Sequence, residues 1–188
     1  VVEPNASNRL PTRMVRQPIA TVDDYTRLGL RVAVSSRNEG CHLFTDDRTA
    51  VDISHDLPRQ DPRAAAFWLR ETVPYFPPAV HLAVIDPGVG TDRRAIAIRV
   101  GDHALVGPDN GLLRPVVRRL VDKSADSAEV SDPADLPVSA FEITVDDPAS
   151  TTFHGRDVFA PAAAEIHNQG VDHIDAVEML SPIDLDSC

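Results

Sequence analysis

The residues best placed to do chemistry lie in AVIDPGVGTDRR, at 83–94. An apolar run stops at Asp86, a Pro-Gly-Val-Gly turn follows, and Arg93 arrives seven residues after the carboxylate. A carboxylate and a guanidinium joined by such a turn form a charge-assisted pair, and the glycines let a ligand approach the backbone. Two further strand-end turns have similar character, VDISHD at 51–56 and VGPDNG at 106–111, and FHGRD at 153–157 adds an imidazole. Singly, each Asp is ordinary turn or cap chemistry. Together the four stretches point to a site beyond the carboxyl ends of strands, where α/β sheets bind ligands.

Other readings of the same residues stand beside this one. Arg93 and Arg94 would also suit a solvated charge pair, and His154 would suit a helix cap. Arg156 and Asp157 form a local structural pair, and His81, at a strand start, is assigned no chemistry. Asp52, His55 and Asp56 carry metal-ligand types but lack spaced partners, so a strand-end structural role fits them better.

The elements that must position these groups follow from the hydrophobic pattern. Residues 49–54, 80–86, 95–100, 103–108 and 139–145 read as strands, with a Gly101–Asp102 turn joining the third and fourth. A helix begins with Asp61 as cap and Pro62 in its first turn, with Ala65, Phe67, Trp68 and Val73 as its apolar face. Residues 112–121 read as a second helix, and FHGRDVFAPAAAEIHNQG opens a third that stops at Gly170. Residues 122–137 are a polar loop with a short strand at 128–130, and 171–188 carry little signal. Alternating strands and helices predict an α/β domain with a largely parallel central sheet flanked by helices.

Bulk properties narrow the partners. A 188-residue chain needs no disulfide or metal to fold, and its two cysteines, Cys41 and Cys188, imply no disulfide framework. The net charge of −11 argues against nucleic acid, and Lys123 is the only lysine. No apolar run is long enough to span a membrane, so a cytoplasmic chain is expected.

In this order, IDPGVGTDRRAIAI, VGPDNGLL and STTFHGRDVFAPAAA resemble the SAM hydroxide adenosyltransferases, which hydrolyse S-adenosyl-L-methionine (SAM) to adenosine and are related to the SAM-dependent fluorinase and chlorinase. VDISHDLPRQDPRAAAFWL and VPYFPPAVHLAV extend the likeness to residues 51–170. The resemblance implies that an activated water attacks the ribose carbon bonded to the sulfonium and expels L-methionine, with SAM as substrate and no cofactor or metal. It implies catalytic roles for Asp86, Arg93 and His154, and substrate contacts from Gln60, Thr152 and Phe153. Aromatic residues of the halide-using relatives stand where Asp86 and His154 stand here, which favours water as nucleophile. His154 is the natural base, since a free imidazole titrates near ~6.5. A sulfonium leaves as a neutral thioether, so the reaction needs an oriented nucleophile in a dry pocket and no acid. Two other functions remain open: a catalytically impaired SAM- or nucleoside-binding remnant, and a metal-dependent hydrolase using Asp52, His55, Asp56 and Asp86.

The chain departs from the family twice. An N-terminal Thr-Asp-Phe-Gly motif, expected to hold the ribose hydroxyls, does not occur, and the C-terminal β domain that completes a neighbour's pocket in a homotrimer is expected to be absent. Trimer formation, implied by the resemblance, is therefore in doubt for this chain. The expected organisation is an atypical leader at 1–48, a SAM-hydrolase-like domain at 49–175, and a truncated linker at 176–188. Arg37 to Phe44 can be encoded so that the next reading frame gives Glu-Met-Lys-Gly-Val-Ile-Phe-Ser, a stretch typical of the family. Residues up to about 45 are accordingly expected to be a frameshifted translation. Sequencing the native gene tests this: a one-base shift should reveal an upstream Thr-Asp-Phe-Gly stretch, and its absence in every frame removes the idea.

Overall fold

A computed structural model describes residues 31–36, 50–54, 57–58, 60–126, 136–145 and 152–188. Its seven strands are β1 (Arg31–Ser36), β2 (Ala50–Asp52), β3 (Ala79–Val84), β4 (Ala95–Val100), β5 (His103–Pro108), β6 (Val138–Ile143) and β7 (Leu180–Ile183). They form one sheet in the order β2-β1-β3-β5-β4-β6-β7. Helices α1 (Pro62–Thr72), α2 (Arg114–Asp126) and α3 (Ala160–Gln169) flank it, as an α/β domain requires. The predicted strand at 128–130 lies outside the described residues.

The sheet is mixed, which corrects the expectation of a largely parallel one. Among the described residues, only β3 and β5 pair in parallel; β1 with β2 and β3, β4 with β5 and β6, and β6 with β7 are antiparallel. The reason is local. Val100 pairs directly with His103 across the two-residue Gly101–Asp102 turn, and a loop that short can join only antiparallel neighbours. The parallel pair is packed closely enough to fix a residue type: a Cβ on Gly107 would lie 2.4 Å from the Ala83 carbonyl oxygen. Glycine is the residue that fits.

Alternation along the central strands divides the core into two. Ala97 of β4, Val80 and Leu82 of β3, Val106 of β5 and Phe141 of β6 pack with Phe159, Ala162, Ala163 and Ile166 beneath α3. Ile96 and Ile98 of β4, with Leu105 of β5, pack with Leu69 of α1 and Val116 and Leu120 of α2. Both faces are covered, so the central strands read as almost continuous apolar runs.

Helix α1 starts where predicted. The Asp61 carboxylate accepts from the backbone N–H of Arg63 and Ala64, both at 3.0 Å, and Pro62 supplies a preset φ. Its buried stripe is Ala65, Leu69 and Val73, at a spacing of four, together with Ala66. Phe67 and Trp68, predicted to lie inward, are each half exposed and pack edge-to-face on one another at 5.6 Å.

His81 is fully buried on β3, its Nε2 2.9 Å from Nδ1 of His103, with the two rings stacked. Its own Nδ1 has no hydrogen-bond partner among the described residues. Burial, reinforced by His103, lowers the His81 pKa to about 3. Above pH ~6.5 the ring is neutral in both folded and unfolded chains. Below that the unfolded chain takes up a proton that the folded chain refuses, so stability falls as pH drops from about 6.5 toward 3. Denaturant titrations at pH 7.5, 5.5 and 4.5 are expected to show this loss, and His81→Phe to reduce it, with the partly buried His103 and His154 contributing the same sign. An equally steep loss in the variant would contradict it.

Candidate active site

Asp86 and Arg93 lie between β3 and β4. After Ile85 the chain makes two turns, Val89 N–H donating to the Asp86 carbonyl at 3.3 Å and Thr91 N–H to the Gly88 carbonyl at 3.1 Å. The Thr91 hydroxyl donates to that same Gly88 carbonyl at 2.6 Å. These bonds fold the guanidinium back onto the carboxylate. A Cβ on Gly88 would sit 3.3 Å from Cγ of Arg93, so the turn leaves little room for a side chain there.

The pair is bidentate: Arg93 Nε donates to Asp86 Oδ1 at 2.8 Å and Nη2 donates to Oδ2. Only 9% of the Arg93 side chain and 6% of the Asp86 side chain are exposed. The guanidinium carbon lies 5.0 Å from the ring centroid of Phe159, a fully buried residue, adding a cation–π contact.

His154 completes the trio. Arg93 Nη2 is 2.8 Å from His154 Nδ1. Arginine has only donors, so Nδ1 accepts, and the neutral ring carries its hydrogen on Nε2. Burial and then Arg93 lower the His154 pKa, opposed by Asp86 and Asp157. The lone pair expected to act as a base is therefore occupied by Arg93, and the free edge of the ring is a donor.

A π-helical turn, Gly155–Phe159, separates His154 from α3, with Ala160 N–H donating to the Gly155 carbonyl. Such turns insert one residue into a helix and recur at functional sites. This one carries His154 at its head and Phe159 at its end, both against Arg93.

The remaining predicted residues fall as follows. Phe153 and Thr152 are exposed just before His154, and the Arg156 guanidinium lies over the Phe153 ring at 5.0 Å. Gln60 is exposed in the turn before α1, with a left-handed φ of 57°, and takes no part in the bonds that join the trio. Arg156 pairs with Asp157, Nη2 to Oδ2 at 2.6 Å, as a local structural pair. Arg94 does not form a solvated pair with Arg93; it bonds to Asp109. His55 and Asp56 lie outside the described residues, among which no cluster of three or more metal-ligating side chains occurs. No described helix is long and apolar enough to cross a membrane.

Sequence reasoning missed Phe159 as a site residue, because its placement depends on the π-turn and a regular helical period does not predict it. It also read VGPDNG as facing a ligand, whereas Asp109 and Asn110 bond to the polypeptide around Asp86 and Arg93.

The family described as SAM hydroxide adenosyltransferase N-terminal domain matches residues 39–177. The chain is 47% identical over 134 residues to the (R)-S-adenosyl-L-methionine hydrolase of Salinispora tropica, covering 67% of this chain and 46% of that protein. It is 49% identical over 117 residues to the protein of that name from Thermus thermophilus, covering 62% and 44%. Among solved structures it resembles a conserved hypothetical protein, also from Thermus thermophilus, with a TM-score of 0.51 and 36% identity over 73% of this chain and 47% of that one. An uncharacterized conserved protein from Thermotoga maritima gives a TM-score of 0.51 at 30% identity, over 71% and 47%. The chain belongs to the SAM hydroxide adenosyltransferase family, and it spans about half the length of the curated relatives it matches.

Removing one partner from a buried ion pair strands the other charge and costs about 3–5 kcal/mol. Asp86→Ala is expected to lose stability on that scale, read as a lower denaturant midpoint at unchanged slope. A variant as stable as the parent would show that the pair is not buried in solution.

Proposed function

We propose that this chain carries the water-activating half of a SAM hydrolase that produces adenosine and L-methionine. The observation that carries the reading is the bonded Asp86–Arg93–His154 trio, its ion pair largely buried, in a family whose similar members bear the hydrolase name. The trio offers a carboxylate acceptor and an Nε2–H donor, which together can orient a water. The water oxygen bonds to the 5′ carbon of the ribose as the carbon–sulfur bond breaks. The bonding electrons remain on sulfur as a neutral thioether, and the surplus proton leaves through the Asp86 carboxylate to solvent. His154 orients the water in this scheme, and proton acceptance passes to Asp86. Gln60, Thr152 and Phe153 would contact the substrate, and the reaction as written needs no metal.

A second reading, SAM or nucleoside binding without turnover, is favoured by the Arg93–His154 contact, which occupies the imidazole lone pair that would otherwise serve as a base. Measuring SAM affinity and adenosine release separately distinguishes the two. Turnover by the chain, with a loss of roughly a hundredfold in His154→Ala, is expected for the hydrolase. Binding with no adenosine would favour the second reading. A chelator is expected to leave the rate unchanged; its abolition by chelator and recovery with a divalent ion would point to metal chemistry.

The acid limb of activity follows from the site. Protonated His154 would place an N–H against the Arg93 N–H at Nδ1, so activity should fall as pH drops. The His154 pKa lies below its ordinary value of about 6.5, so the midpoint of kcat/KM should too. A midpoint above that value would contradict the assignment.

A further inference from the structure

The segment holding Asp86 and Arg93 joins β3 to β4, but these strands are not neighbours: β5 lies between them. Because β5 runs parallel to β3 and antiparallel to β4, the end of β3, the end of β5 and the start of β4 share one end of the sheet. Ala95 stands directly opposite Pro108. The loop at 85–94 must therefore cross the carboxyl end of β5, where the Pro108-Asp109-Asn110 turn stands.

That turn is bonded to both ends of the crossing loop. On the incoming side, Asn110 Nδ2 donates to the Ile85 carbonyl at 2.8 Å, one residue before Asp86. The Asn110 orientation is fixed by its own Oδ1, which accepts from Leu112 N–H at 3.2 Å. On the outgoing side, Asp109 N–H donates to the Arg94 carbonyl at 3.0 Å. The Arg94 guanidinium donates to Asp109 Oδ2 through Nε at 3.0 Å and Nη2 at 2.7 Å. The same Arg94 carbonyl accepts from Arg93 Nη1 at 3.2 Å, so the catalytic guanidinium and the turn share one anchor. Arg94 Nη1 also donates to the Ser187 hydroxyl at 3.1 Å, which ties the anchor to the 3₁₀ turn Leu185–Ser187.

We infer that Arg94, Asp109 and Asn110 are positioning residues, a brace that spans the crossing loop and sets where Asp86 and Arg93 stand relative to His154. None of the three is assigned contact with the substrate. Their effect on turnover rests on the hydrolase reading, but their effect on the trio's geometry does not.

The test therefore uses two readouts on the full chain: the NMR titration of the His154 imidazole, and kcat and KM for SAM. Asp109→Asn removes the charge held by Arg94 and keeps the shape; Asn110→Ala removes the tie to Ile85. Arg94→Lys keeps a charge without the two-nitrogen grip, and Arg70→Ala, which touches the surface pair with Glu71, is the control. His154 is faced by Arg93, Asp86 and Asp157, and its pKa is held down by burial and Arg93. Loosening the brace should move its midpoint up toward an ordinary imidazole in Asp109→Asn and Asn110→Ala, by less in Arg94→Lys, and not in Arg70→Ala. A misplacement of about 1 Å can cost up to ~10²-fold in rate, so kcat should fall roughly tenfold or more with KM within about twofold. Folded Asp109→Asn with an unchanged His154 midpoint overturns the brace, whatever its melting temperature. Parent chain that releases no adenosine overturns the hydrolase reading instead, and the titration still decides the brace.

Discussion

The structure of the site depends on one buried ion pair. Arg93 directs two N–H groups at Asp86, one at His154 and one at the Arg94 carbonyl, while its guanidinium carbon lies 5.0 Å from the ring centroid of Phe159. Lysine, with a compact ammonium and no planar fork, could not make these contacts at once. Taking both charges out of water is costly, and the geometry offsets that cost only because nearly every donor is used. The turn at 86–91, the π-turn and the strand order all serve to bring these partners to one guanidinium.

That arrangement also separates two roles that a histidine near a carboxylate often combines. The ring nitrogen facing Arg93 accepts, so the opposite nitrogen donates. The imidazole thus acts as a fixed, neutral donor whose tautomer is set by arginine, in the way that a neighbouring carboxylate sets it in the more familiar triads. The carboxylate keeps the acceptor capacity. In the proposed hydrolysis, which expels a neutral thioether, orientation matters more than strong acid or base chemistry, and a fixed donor beside a fixed acceptor supplies orientation.

Much of this is legible in the residues. Asp61 and Pro62 announce α1, the Gly101–Asp102 turn announces a hairpin, and the resemblance to the SAM hydroxide adenosyltransferases marks out Asp86, Arg93 and His154. The alternation of strands and helices nevertheless outweighs the hairpin in a sequence reading and implies a largely parallel sheet. Hydrophobicity alone assigns Phe67 and Trp68 to the core, yet a stripe with a spacing of four passes through Ala65, Leu69 and Val73 instead. Phe159 is hidden because a π-turn shifts the helical phase. The roles of Asp109 and Asn110 are hidden because they depend on strand order, which local patterning does not encode.

Strand order also has a consequence for how the domain assembles. The β4–β5 hairpin closes a two-residue loop and can form within microseconds, as hairpins generally do. It inserts with β5 against β3, so the strand later in sequence becomes the inner neighbour. Until that docking, Ile85 and Arg94 have no common support, and the loop between them is an open chain whose closure is entropically opposed. The docking step that completes the central sheet is therefore the same event that closes the loop carrying Asp86 and Arg93, so a partly folded chain with a formed hairpin would still lack the candidate site.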